Sequence, residues 1–83
     1  MEKVLVEIYI PVINQYYDVY LPLISKMYEI EELLAAAFSE ISSGYFVASE
    51  DIVICEKNTG RIYDVNKSVM ELDIRNGSKL MLI

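Results

Sequence analysis

The chain contains no histidine, so it lacks the side chain that most often moves protons near neutral pH, and every Ser-His or Cys-His dyad with it. Its one cysteine, Cys55, has no partner for an internal disulfide, and no second thiolate or imidazole is present to complete a zinc set. The expectations are therefore no catalytic residue, no cofactor and no metal. Lys and Arg together number seven against thirteen acidic residues, a net charge of -6. Phosphate binding needs clustered cations, so nucleic acid is not an expected partner, and acidity of this size serves solubility. The apolar fraction is high at 54%, yet no apolar run is long enough to cross a bilayer. The opening Met1-Glu2-Lys3-Val4 shows no basic and apolar signal segment. A cytoplasmic protein without direct membrane insertion is expected.

What the sequence does contain is alternation. A length of 83 residues implies one domain, 1–83, with one compact core. Val4, Val6, Ile8 and Ile10 alternate with Leu5, Glu7 and Tyr9, which predicts a first strand over 3–10 with one face turned inward. Pro11 withdraws a backbone donor, and the polar stretch through Asn14 and Gln15 turns the chain. Tyr17, Val19 and Leu21 then predict a returning strand over 16–21, ended by Pro22. From Ile30 the apolar spacing becomes helical, with Leu33, Leu34, Ala37, Phe38 and Ile41 forming one stripe. Glu29, Glu31 and Glu32 sit where a helix N-terminus favours negative charge, although neither Tyr28 nor Glu29 is a preferred cap. Ser42, Ser43 and Gly44 are expected to end the helix, and 45–51 to form a surface connection.

Ile52 to Cys55 reads as a short β-branched strand, and Lys57-Asn58-Thr59-Gly60 is turn chemistry, so Arg61-Ile62-Tyr63 can pair back as a brief strand. Val69, Leu72 and Ile74 can anchor a turn or 3₁₀ segment beneath the sheet, and 79–83 alternates again as the final strand. Asn76-Gly77 precedes a strand and not a helix, so it reads as a tight turn and not as a phosphate loop. The order of elements describes an α+β unit: a mixed sheet of four to five strands with one helix packed across it.

These elements, and in particular Val4 to Ile10, Tyr17-Asp18-Val19-Tyr20-Leu21-Pro22, the helix opening Glu29 to Leu34, and the run Leu72 to Leu80, resemble a β-grasp, ubiquitin-like fold. Within that superfamily the chain is similar to the bacterial YukD/EsaB proteins associated with type VII secretion in Gram-positive bacteria. The resemblance implies a non-catalytic, cytoplasmic interaction module with a protein partner, the candidate being a component of the secretion machine. It leaves the oligomeric state open. It also implies a core of Val4, Val6, Ile8, Tyr17, Val19, Leu21, Ile52, Ile54, Leu80 and Leu82 against Ile30, Leu34, Phe38, Leu72 and Ile74.

The alternate residues would then share the other sheet face: Leu5, Glu7, Tyr9, Asp18, Tyr20, Val53, Cys55, Met81 and Ile83. An exposed apolar patch of this kind favours a contact surface, with cross-strand packing as its plainer explanation. Leu5, Tyr9, Tyr20, Val53, Met81 and Ile83 are the expected protein-binding residues. Cys55 lacks a cationic setting to activate its thiol and is expected as a small strand hydrophobe. The principal alternative is a covalent modifier or sulfur carrier of the same superfamily. It is disfavoured because such chemistry uses a flexible Gly-Gly end, whereas this sequence ends Leu80-Met81-Leu82-Ile83 on a strand pattern. A small enzyme is the remaining alternative and has no visible constellation to support it.

Overall fold

The computed structural model of the chain describes residues 2–41 and 52–83. Strand β1, Lys3–Ile10, and strand β2, Gln15–Pro22, are joined by a 3₁₀ turn at Pro11–Ile13. Pro11 presets the turn, and Asn14 closes it in left-handed backbone at φ 49°, its N–H donating to the Pro11 carbonyl at 3.1 Å. Helix α1, Met27–Ile41, follows, then β3, Ile54–Glu56, and β4, Lys79–Leu82. The sheet order is β2-β1-β4-β3, with β1 parallel to β4 and both outer pairs antiparallel.

The Asn76-Gly77 turn sets the β1–β4 register. The Leu5 N–H donates to Asn76 Oδ1 at 2.7 Å, and the Gly77 N–H donates to the Leu5 carbonyl at 2.8 Å. Gly77 holds φ 87°, a conformation that a Cβ would strain.

Val4, Val6, Ile8 and Ile10 of β1 bury one sheet face together with Leu21, Ile54, Leu80 and Leu82. Met27, Ile30, Leu34 and Phe38 of α1 cover it, and Val69 and Ile74 complete the cluster, with Tyr17, Val19, Ile52 and Leu72 half-buried around it. Each fully buried aliphatic is worth roughly 1.5–3 kcal/mol before chain entropy is subtracted. Met27 belongs to this core beyond the residues expected from sequence, and Ile10 and Val69, expected on the inward face of β1 and beneath the sheet, lie in it as well.

Four features differ from the sequence expectation, each for a physical reason. The helix starts at Met27, earlier than its apolar stripe suggested, because its first amides find acceptors elsewhere: Met27 N–H donates to the Lys67 carbonyl at 3.0 Å and Tyr28 N–H to that of Val65 at 3.1 Å. Glu29 reaches back to accept the Lys26 N–H at 3.0 Å, the acidic half of a capping box, so a preferred cap residue is not needed. The helix is also rotated from the expected stripe. Leu33 is 62% exposed and Ala37 is exposed, whereas Ala35 is buried. Glu31, on the opposite flank, accepts a hydrogen bond from the Ile54 backbone, and burial pushes its carboxyl above the ordinary range. With Met27, Ile30, Leu34 and Phe38 seated in the core, Leu33 falls on the side of the helix away from the sheet.

The third difference is at Arg61-Ile62-Tyr63, which makes a single antiparallel bridge, Cys55 to Ile62, and no strand. The chain leaves the sheet there because the following carbonyls, Val65 and Lys67, are committed to the helix N-terminus. The fourth is β3, which runs Ile54–Glu56 instead of from Ile52 to Cys55, although Val53 and Ile83 still exchange backbone hydrogen bonds at 2.8 and 2.9 Å. The expected helix end at Ser42, Ser43 and Gly44 and the connection over 45–51 lie outside the described residues.

Beneath the sheet, the turn after Ser68 is capped reciprocally. The Glu71 N–H donates to Ser68 Oγ at 3.2 Å, and the Ser68 N–H donates to Glu71 Oε1 at 3.0 Å. Glu71 also lies 3.6 Å from Lys26 Nζ. Hydrogen bonding from the Ser68 backbone, then its hydroxyl, then the charge of Lys26 hold the Glu71 carboxyl below its ordinary range.

Candidate protein-docking surface

Residues alternate across a strand, so the odd-numbered side chains of β1 that miss the core share the outer face with the even-numbered ones of β2. Cross-strand register then fixes who stands beside whom. Tyr16 is paired with Tyr9, Tyr9 with Met81, Met81 with Cys55, and Cys55 is bridged to Ile62. This is one continuous apolar row across the whole sheet. The next row is fully charged: Asp18 is paired with Glu7 and Glu7 with Lys79, while Lys57 donates its N–H to the Lys79 carbonyl at 3.0 Å. Beyond it Leu5 pairs with Tyr20, and on the far side of the apolar row Val53 pairs with Ile83.

The six residues expected from sequence to bind protein all fall on this outer face. Tyr20 and Ile83 are the open ones, at 64% and 55% exposure, and Leu5, Tyr9, Val53 and Met81 are half-buried between their neighbours. Cys55 is different. It occupies the outer row as expected, but Met81 on one side and Ile62 on the other leave it 1% exposed. Its Sγ lies 3.7 Å from the Met81 carbonyl, and burial raises the thiol pKa, so it contributes packing and little thiolate.

Three outer-face residues were missed. Tyr16, 51% exposed, stacks on Tyr9 with ring centroids 4.6 Å apart. It lies within the strand expected over 16–21, and its parity with Asp18 and Tyr20 is the signal that places it on this face. Lys57 continues the alternation of Val53 and Cys55; its ammonium lies 4.7 Å from the Tyr16 centroid and 5.4 Å from that of Tyr9, and donates to the Tyr16 hydroxyl at 3.4 Å. Ile62, 63% exposed, is placed by a single bridge that no periodicity signals. The Tyr9 hydroxyl donates to Asn14 Oδ1 at 3.0 Å, which fixes the ring that Tyr16 and Lys57 lean on.

Aromatic rings, methionine and aliphatic side chains held side by side offer contact area at low conformational cost, the composition that recurs where proteins bind one another. Among the described residues no group of three or more Cys, Asp and Glu side chains converges as metal ligands, and no helix is long and apolar enough to cross a membrane.

No family model matches the sequence, and no curated protein matches it either. Solved structures do match in shape. The ubiquitin-like domain of the Mycobacterium tuberculosis type VII secretion system protein ECCD1 superposes with a TM-score of 0.79 at 18% identity, covering 100% of this chain and 99% of that one. The EccD5 ubiquitin-like domain from Mycobacterium xenopi gives 0.70 at 15% identity, covering 100% and 94%. A chain of the toluene 4-monooxygenase HD complex with the inhibitor 4-bromobenzoate gives 0.78 at 11% identity, covering 98% and 96%. One shape thus serves proteins of quite different description, and identities this low speak for fold alone. Helix, mixed four-stranded sheet and strand order together give this chain the ubiquitin-like β-grasp fold.

Proposed function

We propose that the chain is a non-catalytic ubiquitin-like module of the YukD/EsaB kind, which acts in the cytoplasm by docking its outer sheet face onto a protein component of a type VII secretion machine. The observation that carries this reading is the apolar row from Tyr16 to Ile62, with the open side chain of Ile83 beside it and that of Tyr20 across the charged row. A face of this composition is a contact surface more often than an accident. The likeness in fold to two EccD ubiquitin-like domains supports the link to secretion.

The test is to replace Tyr20 and Ile83 together with Asp in the bacterium that encodes the chain. Both are open to solvent, so circular dichroism and the urea midpoint are expected to stay near wild type while secretion of type VII substrates falls. Undiminished secretion by a folded, normally abundant double variant would overturn the reading.

A further inference from the structure

The outer face is its own electrostatic complement. By backbone register, β2 and β1 carry Asp18 and Glu7 in the charged row. On the other side of the β1–β4 seam β4 carries Lys79, with Lys57 one residue past the end of β3 and its ammonium reaching back over the Tyr9 and Tyr16 rings. Glu7 stands directly opposite Lys79 in the register, yet the ion pairs among the described residues are Lys26–Glu71 and Asp73–Arg75. No direct ion pair thus joins the charges of this row. From this segregation the geometry points to a second copy of the chain as an occupant of the face, an inference that rests on reading that face as a contact surface.

A two-fold axis lying in the interface along the β1–β4 seam exchanges the left and right halves of each row while keeping the row itself. It sets Glu7 over Lys79 of the other copy and Asp18 over its Lys57, so all four facing pairs are of opposite sign. The same rotation lays the apolar row on itself, Tyr9 over Met81 and Tyr16 over the end of the row where Ile62 is exposed beside the buried Cys55. The result is an isologous dimer in which two sheets pack face to face with their strands roughly aligned. Lys57 rests over its own tyrosines in the single chain, and its long stem lets the ammonium swing from the rings to a facing carboxylate. The apolar row supplies the contact area. The charged row fixes the orientation, since a face rotated by half a turn in its own plane would bring like charges together. A four-stranded sheet this small offers less than the ~800 Å² per partner of a standard stable interface, so association is weak and concentration-dependent.

The experiment is sedimentation velocity on the wild-type chain across a range of concentrations at low salt, repeated for two charge-reversed variants, Glu7→Lys with Asp18→Lys, and Lys57→Glu with Lys79→Glu. The wild type is expected to move from monomer toward dimer as concentration rises and to retreat in high salt. Each variant alone is expected to remain monomeric, and an equimolar mixture of the two to associate again. A wild type that stays monomeric at millimolar concentration, variants that dimerise as well as it does, or a mixture that fails to associate would each overturn the second-copy assignment. If a variant does not fold, concentration-dependent amide shifts in the wild type decide: shifts confined to the outer-face rows support the dimer, and their absence overturns it. A monomeric wild type that still loses secretion when Tyr20 and Ile83 are replaced gives the face to a different protein, which separates failure of this inference from failure of the docking reading.

Discussion

Two faces of a single sheet are made from the same four strands, and they solve opposite problems. The inner face is aliphatic: Val4, Val6, Ile8, Ile10, Leu80 and Leu82 interlock with the helix and are 9% exposed or less. The outer face holds tyrosines, methionine, a cysteine and the charged side chains of Lys3, Glu7, Asp18, Lys57 and Lys79. Inside, shape alone decides the packing, because dispersion contacts have no direction. Outside, the rings and charges have direction, and register arranges them into separate apolar and charged rows. A face that only needed to remain soluble would have no use for an apolar row that continues from Tyr16 through to Ile62. Sheet packing explains the half-buried members of that row, while the open ones, Tyr16 and Ile62, still present their surface to water.

The contrast can be broken most severely from within. Leu80→Ala removes a side chain with 0% exposure at the centre of the core, and the expected loss is about 2–5 kcal/mol, a large part of what a small domain possesses. A urea titration followed by circular dichroism reads it directly. Ser68→Ala attacks the support below the sheet, where the hydroxyl accepts the Glu71 N–H. The expected cost is about 1 kcal/mol, with the outer face unaltered.

On the outer side the effects are smaller. Tyr16→Ala loses the stacking against Tyr9 and the seat of Lys57, and about 0.5–1.5 kcal/mol of stability is expected to go with it. Lys57→Met keeps the stem and removes the ammonium; about 0.5 kcal/mol is expected, small enough that any larger effect on association would belong to the interface and not to the fold.

Acid gives a further way to sharpen the comparison. The Glu71 carboxyl titrates below its ordinary 4.5 in the folded chain, so the unfolded chain takes up that proton first. Its stabilising contribution is complete above the unfolded pKa and drains away as pH falls through the lowered folded one. The urea midpoint of the wild type is therefore expected to drop below about pH 4.5 more steeply than that of Glu71→Gln, measured side by side.

The sheet was legible in the sequence because period-two alternation survives wherever one face is buried, and β1 shows it over its full length from Lys3 to Ile10. The outer-face residues followed from the same parity. What the sequence hid was everything set by contacts between distant segments. Leu33 fits a helical stripe as well as Ala35 does, and the choice between them goes with how Met27, Ile30, Leu34 and Phe38 seat on the sheet. Cys55 has the parity of an outer residue, and its concealment comes from Ile62, which a single bridge puts beside it. The early start of the helix was equally hidden, since the carbonyls that receive its first amides belong to Val65 and Lys67.

That last arrangement has a dynamic consequence. The amides of Met27 and Tyr28 are tied to carbonyls far along the chain, and the Val69 and Met70 N–H groups return the favour by donating to Ser25 and Leu23 at 3.0 Å each. These bonds interlace the two segments like the teeth of a zip, so neither can fray alone. Hydrogen exchange at Met27, Tyr28, Val69 and Met70 should proceed in step, at the pace of a shared opening, and a protease cut between Asp64 and Lys67 would release the head of the helix together with the turn.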